Sequence, residues 1–215
     1  MSGTIDFDGL VQVLRTAATR VKAGADELGR LDSATGDGDH GVAMTRAMQA
    51  LEKGLAECPE RTGQTLLQGV AWSILGIDGG ATGPLVGSLF LGMVEPVGQA
   101  DRIDAPRLAS MFAAGVAKMG AISKAQLGDK TMMDSLLPAV EALQTAAAAG
   151  DSVAAALAKA AAAAQAGAER TKDLRARFGK ARNLGERSLG HQDPGATSMA
   201  LLLRGLAEGA ASLET

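Results

Sequence analysis

The chain has 215 residues, of which 47% are apolar, 21% charged and 2% aromatic, with a formal net charge of −3. That length supports one well-cored domain spanning residues 1–215, and the mildly acidic balance excludes the basic footprint of a nucleic-acid binder. The lone cysteine, Cys58, excludes an internal disulfide and fits a reducing cytoplasm. The N-terminus, Met1-Ser2-Gly3-Thr4-Ile5-Asp6, shows neither the basic region nor the apolar core of a signal peptide. Residues 74–94 are the nearest approach to a membrane span. Asp78, Gly79, Gly80 and Pro84 break that stretch, leaving no run of about 20 apolar residues. A cytoplasmic protein without membrane or nucleic-acid contacts is expected.

Helical periodicity recurs along the chain. Leu10, Val11, Leu14, Ala17, Ala18 and Val21 mark a first amphipathic helix at spacings of three and four. Ala43, Ala47, Met48 and Leu51 mark a second, and Leu66, Leu67, Val70, Ile74 and Leu75 a third. Pro84 sits near the start of a fourth with Leu85, Leu89 and Met93; Pro106 sits in the first turn of a fifth with Leu108, Phe112 and Val116. Met133, Leu136, Leu137, Val140 and Leu143 predict a sixth. Ser152 caps an Ala-rich seventh, read from Val153 to Arg177, and Pro194 opens an eighth. No segment reads convincingly as a strand, so the expected class is all-α.

The most informative segment lies between the first two helices, Asp32-Ser33-Ala34-Thr35-Gly36-Asp37-Gly38-Asp39-His40-Gly41. Three carboxylates within eight residues repel unless a cation lies among them, and Asp oxygens are the hard donors that Mg²⁺ or Ca²⁺ favours. The competing interpretation is a solvated acidic turn capping the next helix. Gly36, Gly38 and Gly41 formally match G-x-G-x-x-G, but a helix pattern, not a strand, precedes them. An EF-hand beginning at Asp37 fails at Val42 and Met48, where Gly and a carboxylate are needed.

Three further loops pair glycine with polar groups: Gly79-Gly80-Ala81-Thr82-Gly83-Pro84, Gly128-Asp129-Lys130-Thr131-Met132-Met133-Asp134, and His191-Gln192-Asp193-Pro194-Gly195. Each opens a helix, where free amides and the helix dipole bind phosphate. Asp129 between Gly128 and Lys130 rules out a Walker A loop. In an up-and-down bundle alternate connections share one end, so the loops near 32–41, 78–84, 120–131 and 179–195 are expected at one mouth. Both histidines, His40 and His191, fall in these loops. His40 suits a hydrogen bond or nucleotide contact better than a base, because phosphoryl transfer depends chiefly on positioning. His191 reads as a turn residue. Lys180 and Arg182 are candidate phosphate cations.

In the order and spacing of Gly36-Asp37-Gly38-Asp39-His40-Gly41, Gly79 to Pro84, Gly128-Asp129-Lys130-Thr131-Met132, Leu184-Gly185-Glu186-Arg187-Ser188 and Asp193-Pro194-Gly195-Ala196, the chain resembles the nucleotide-binding L subunit of bacterial dihydroxyacetone kinase over nearly its whole length. The resemblance implies a barrel of eight antiparallel helices with ADP or ATP at one end. It implies Asp32, Asp37 and Asp39 as ligands of two Mg²⁺. It also implies nucleotide contacts from His40, Gly41, Val42, Ala43, Ala81, Thr82, Gly120, Met132, Asp193, Pro194 and Gly195. The implied partner is a separate ketose-binding K subunit; the donor is a phosphocarrier (M-type) protein in relatives that keep ADP bound and ATP from solution in others, and a second copy in a homodimer is the remaining candidate partner. The family pattern Gly-Arg-Ala-x-Tyr-Leu reads here Gly179-Lys180-Ala181-Arg182-Asn183-Leu184, so a point charge at Lys180 replaces a fork-shaped guanidinium. The expected activity is a kinase of dihydroxyacetone or a related short ketose, working with its partner, with Lys180 as the one candidate catalytic side chain. The rivals are a nucleotide-loaded regulatory module and a Mg²⁺-dependent phosphohydrolase with His40 as its only local base.

Overall fold

Helices begin where the sequence supplies a cap. The computed structural model describes residues 3–214. In it α1 (Phe7–Ala23), α4 (Gly63–Leu75), α6 (Ala105–Ser123) and α8 (Val153–Arg170) start after Asp6, Thr62, Asp104 and Ser152. Each of those side-chain oxygens accepts the N–H three residues on, at 2.9–3.2 Å, a cap worth about 1 kcal/mol. These four starts share one end of the molecule. There Ile5 and Ile103 exchange backbone bonds at 2.9 and 2.7 Å, the Val153 N–H donates to Gly3 O at 3.1 Å, and Arg61 pairs with Asp8 at 2.7 Å.

The remaining helices are α2 (Ala25–Thr35), α3 (His40–Ala56), α5 (Thr82–Val97), α7 (Met133–Ala148) and α9 (Pro194–Ala211). Consecutive helices from α3 to α9 pack side by side, α9 packs on α1, and α1 packs on α3, which closes the ring. α1 and α2 form one stave bent at Gly24, so the nine described helices make the expected barrel of eight staves. The only extended pairing among the described residues is the Ile5–Ile103 bridge.

The wall is tight because small residues face one another. Ala156, Ala160 and Ala164 are fully buried one turn apart on α8, so the Ala-rich stretch is a packed stave. A Cβ on Gly205 of α9 would fall 2.5 Å from the Ala17 Cα of α1, so only glycine allows that approach. Leucine, methionine, valine and phenylalanine side chains fill the interior, with Leu28, Met44, Leu66, Ile74 and Leu136 fully buried. No described helix is long and apolar enough to cross a membrane.

Two boundaries differ from the sequence expectation. The first helix continues as α2 beyond Gly24, so Asp32 rides on a helix and not in a loop. The seventh helix ends at Arg170, not Arg177, and 3-10 turns at Thr171–Asp173 and Lys180–Ser188 follow. At that end the Thr171 carbonyl accepts both the Leu174 N–H at 3.2 Å, which closes the first 3-10 turn, and the Lys130 ammonium at 2.5 Å.

Candidate nucleotide cleft

At the end opposite the four capped starts lies a cleft of about 1000 Å³. All four loop groups expected at one mouth contribute to it, from Asp32 to Ala43, Ile77 to Leu85, Ile122 to Met133, and Phe178 to Gly195. Of the four helices that begin here only α9 has a side-chain N-cap, from Asp193. At α7 the first N–H groups bond Thr131 and Met132, and at α3 the His40 N–H bonds Asp32, which leaves the following amides of α3 and those opening α5 available to an anionic ligand. Gly79 and Gly80 take φ of 87° and 72°, letting the loop turn clear of any neighbour just before Thr82 opens α5.

The acidic wall is assembled by a short glycine hairpin. Asp32 sits one turn before the end of α2, and its Oδ2 accepts the His40 N–H at 3.2 Å, tying α2 to the start of α3. A Cβ on Gly36 would stand 2.3 Å from Asp32 Oδ1, so glycine there keeps room for the carboxylate. One oxygen each from Asp32, Asp37 and Asp39 lies within 4.8 Å of the others. Lys180 completes the wall: its ammonium hydrogen-bonds Asp37 and stands 3.9 Å from Asp39. That bond holds the Asp37 carboxyl below the usual carboxylate range and raises Lys180 in turn.

His40 is mostly occupied with the fold. Its Nε2 lies 3.1 Å from Ser198 Oγ, and that hydroxyl donates to Gly195 O at 2.8 Å. With the hydroxyl proton directed at Gly195, Nε2 is placed to donate, and His40 links α3 to α9. Burial lowers its pKa and favours the neutral form, while Asp32 and Asp39 oppose the shift.

The lining also carries apolar side chains, Val42, Ile77, Leu85, Ile122, Met132 and Phe178, against which a nucleobase could lie. Ala43, Ala81, Thr82, Lys180, Asp193, Pro194 and Gly195 also line the cleft, as expected. Asp193 does so as a cap: its Oδ2 accepts the Ala196 N–H at 2.6 Å. Burial pushes its carboxyl up to about 7. Two expected contacts lie elsewhere. Gly41 faces Ala25 of α2, where a Cβ would meet the carbonyl at 2.1 Å, and Gly120 lies inside α6 against Met133. Neither lines the cleft, and neither does Arg182. His191 is the exposed turn residue expected of it, and its carbonyl accepts from Lys130.

Sequence reasoning passed over Arg46, Ile122 and Phe178, all of which line the cleft. Arg46 was legible: it stands three residues after Ala43 and four after Val42, on the same helical face.

Residues 34–208 match the DAK2 domain, and these residues include most of the cleft. The chain belongs to the DAK2 domain family. Across 94% of this chain and 96% of the relative, it is 37% identical to the ADP-binding subunit DhaL of PEP-dependent dihydroxyacetone kinase 1 from Listeria innocua. The Escherichia coli ADP-binding subunit DhaL is 36% identical over 82% of this chain and 84% of its own length. D-Erythrulose kinase of Mycolicibacterium smegmatis is 36% identical, and the chain spans 34% of it. Among solved structures, the Citrobacter freundii dihydroxyacetone kinase with AMP-PNP and Mg²⁺ matches with a TM-score of 0.70 at 28% identity, over 92% of this chain and 33% of that one. The DAK2 fold of this chain is thus the all-α barrel of those kinases.

Proposed function

We propose that the chain is the ADP- or ATP-binding subunit of a dihydroxyacetone-type kinase, a single domain over residues 1–215. The observation that carries this reading is the acid triad within 4.8 Å beside the open starts of α3 and α5 in one cleft. The donor set fits Mg²⁺: three carboxylates, hard oxygen ligands, with a glycine at position 36 whose Cβ would otherwise press on Asp32. Asp32, Asp37 and Asp39 would hold two ions, whose four positive charges exceed the three carboxylate charges by one and so favour a phosphate. Held there, Mg²⁺ would supply positive charge to offset that on the phosphates during transfer.

The protein's own part is to bind and orient. The N–H groups at the starts of α3 and α5 and the Thr82 hydroxyl would take phosphate oxygens, and the apolar side chains from Val42 to Met132 would take the base. Lys180 supplies the nearest cation. The acceptor ketose, dihydroxyacetone or erythrulose, would be held by a separate K subunit that docks over the mouth. The chain covers nearly all of the bacterial ADP-binding subunits but about a third of the erythrulose kinase, which supports a two-subunit arrangement. The PEP-dependent naming of those relatives favours a phosphocarrier protein as the donor that reloads bound ADP.

The test is a reconstituted assay. Chain, K subunit, Mg²⁺ and dihydroxyacetone should give a phosphorylated ketose when supplied either with ATP or with ADP and the phosphorylated phosphocarrier protein, and omission of the chain or the K subunit should abolish it. Nucleotide binding without transfer in the complete mixture would instead support a regulatory module.

A further inference from the structure

We propose that Lys130 is a positioning residue that fixes the spacing between the two loop walls enclosing the nucleotide. The inference rests on the nucleotide reading of the cleft. Lys130 is 2% exposed, yet it carries an ammonium group into the wall of a polar cleft. That group donates to Thr171 O at 2.5 Å and to His191 O. It therefore ties the loop before α7 to the end of α8 and to the segment that opens α9. Asp193, Asp134 and Asp173 lie close enough to oppose the pKa lowering that burial imposes.

Both sides of the tie are themselves fixed. On one, Asp134 accepts Gly128 N–H at 2.6 Å and Thr131 N–H at 2.7 Å, which clamps residues 128–131. On the other, the Asp193 N–H donates to Thr171 Oγ1 at 2.8 Å, and Gly190 N–H donates to Lys172 O at 2.8 Å. Between them Met132 Cγ stands 3.1 Å from where a Cβ on Gly195 would sit, so the two walls meet without slack. Thr131 and Met132 on one wall, and Pro194 and Gly195 on the other, line the cleft.

Two physical arguments separate this role from simple stabilisation. Lys130 adopts φ 62°, a left-handed conformation that glycine would take at lower cost, and that turn sends the side chain inward. A buried ammonium is also expensive to dehydrate, and well-packed apolar replacements of buried ionic groups are often as stable or more so. What an apolar side chain cannot do is hold the Thr171 and His191 carbonyls at a common point.

The experiment measures binding of MgADP, with a fluorescent ADP analogue as probe, to the parent chain, Lys130→Ala and Thr171→Val, alongside urea unfolding of each. Lys130→Ala should weaken MgADP binding at least about tenfold, or ~1.4 kcal/mol, and added propylammonium should restore it where tetramethylammonium does not. A folded variant that binds as the parent does, or whose loss propylammonium leaves untouched, overturns the role. If Lys130→Ala fails to fold, Thr171→Val decides. It keeps the ammonium but removes the hydroxyl that fixes the Asp193 N–H, and should cost about fivefold in affinity, the scale of one hydrogen bond; unchanged affinity overturns the role. A parent chain that binds no MgADP defeats the nucleotide reading itself, and the role with it.

Discussion

Lys180 hydrogen-bonds Asp37 and lies 3.9 Å from Asp39, so the cation nearest the acid hairpin reaches it from 143 residues further along the chain. It is carried on a strap whose turns at Gly179 and Gly185 have φ of 62° and 56°. Both partners are exposed, so the pair adds little to stability and leaves the ammonium free to move toward a phosphate.

Lys180→Arg therefore tests the departure from the family pattern directly. A guanidinium offers two parallel donors where the ammonium offers a point charge. MgADP affinity should rise several-fold in the variant, measured by titration. Equal affinity would make the departure neutral.

Gly41→Ala probes the geometry beneath the acids. Its Cβ would meet Ala25 O at 2.1 Å and Gly29 N at 3.1 Å, backbone atoms that cannot swing aside. α2 must shift away from α3 at a cost of about 1–3 kcal/mol. Because Asp32 rides on α2 and Asp39 precedes α3, both the urea midpoint and MgADP affinity should fall. A variant with parental values of both would show that the contact is dispensable.

Asp193 predicts a pH dependence of stability. Burial pushes its folded carboxyl up to about 7, against about 3.9 in an unfolded chain. Between these values the folded chain holds a proton that the unfolded chain has released. Its contribution is full at the acid side and is lost as pH rises through about 7. Urea midpoints of the parent should decline from about pH 5 to about pH 8 more steeply than those of Asp193→Asn. Parallel profiles would show that the cap titrates at an ordinary value.

Thr82→Ala removes one hydroxyl from the open start of α5 while the helix and its amides remain. The loss in MgADP binding should be about 1 kcal/mol. No loss would place the phosphates away from this turn.

Much of this was legible in the sequence, for reasons that also explain what was not. The Ser152 cap and Pro194 in the first turn of α9 act on their own neighbours, so those helix starts could be read locally. Alternation of loops in an up-and-down barrel put four glycine loops at one mouth, and the cleft is lined from all four. The missed features depend on distant partners. The bend at Gly24 accommodates Leu201, whose side chain lies 2.5 Å from where a Cβ would sit. The end of α8 meets the ammonium of Lys130, 41 residues earlier. Lys130 itself reads as one more surface lysine in a turn until the fold shows it buried. The family resemblance implies Gly41 and Gly120 as nucleotide contacts, and their packing against Ala25 and Met133 needed the partner helices.

The central claim is that this cleft holds a Mg²⁺-bound adenine nucleotide on Asp32, Asp37 and Asp39. Native mass spectrometry of the purified chain, before and after a chelator, tests it most directly, with Asp37→Asn as companion. The parent should carry the mass of ADP plus two Mg²⁺, or acquire it from added Mg-nucleotide, and lose it on chelation. Asp37→Asn should fail to retain it while its circular dichroism stays helical, since Asp37 is exposed. A parent that takes up no nucleotide with or without Mg²⁺, or an Asn variant that retains it fully, would contradict the assignment.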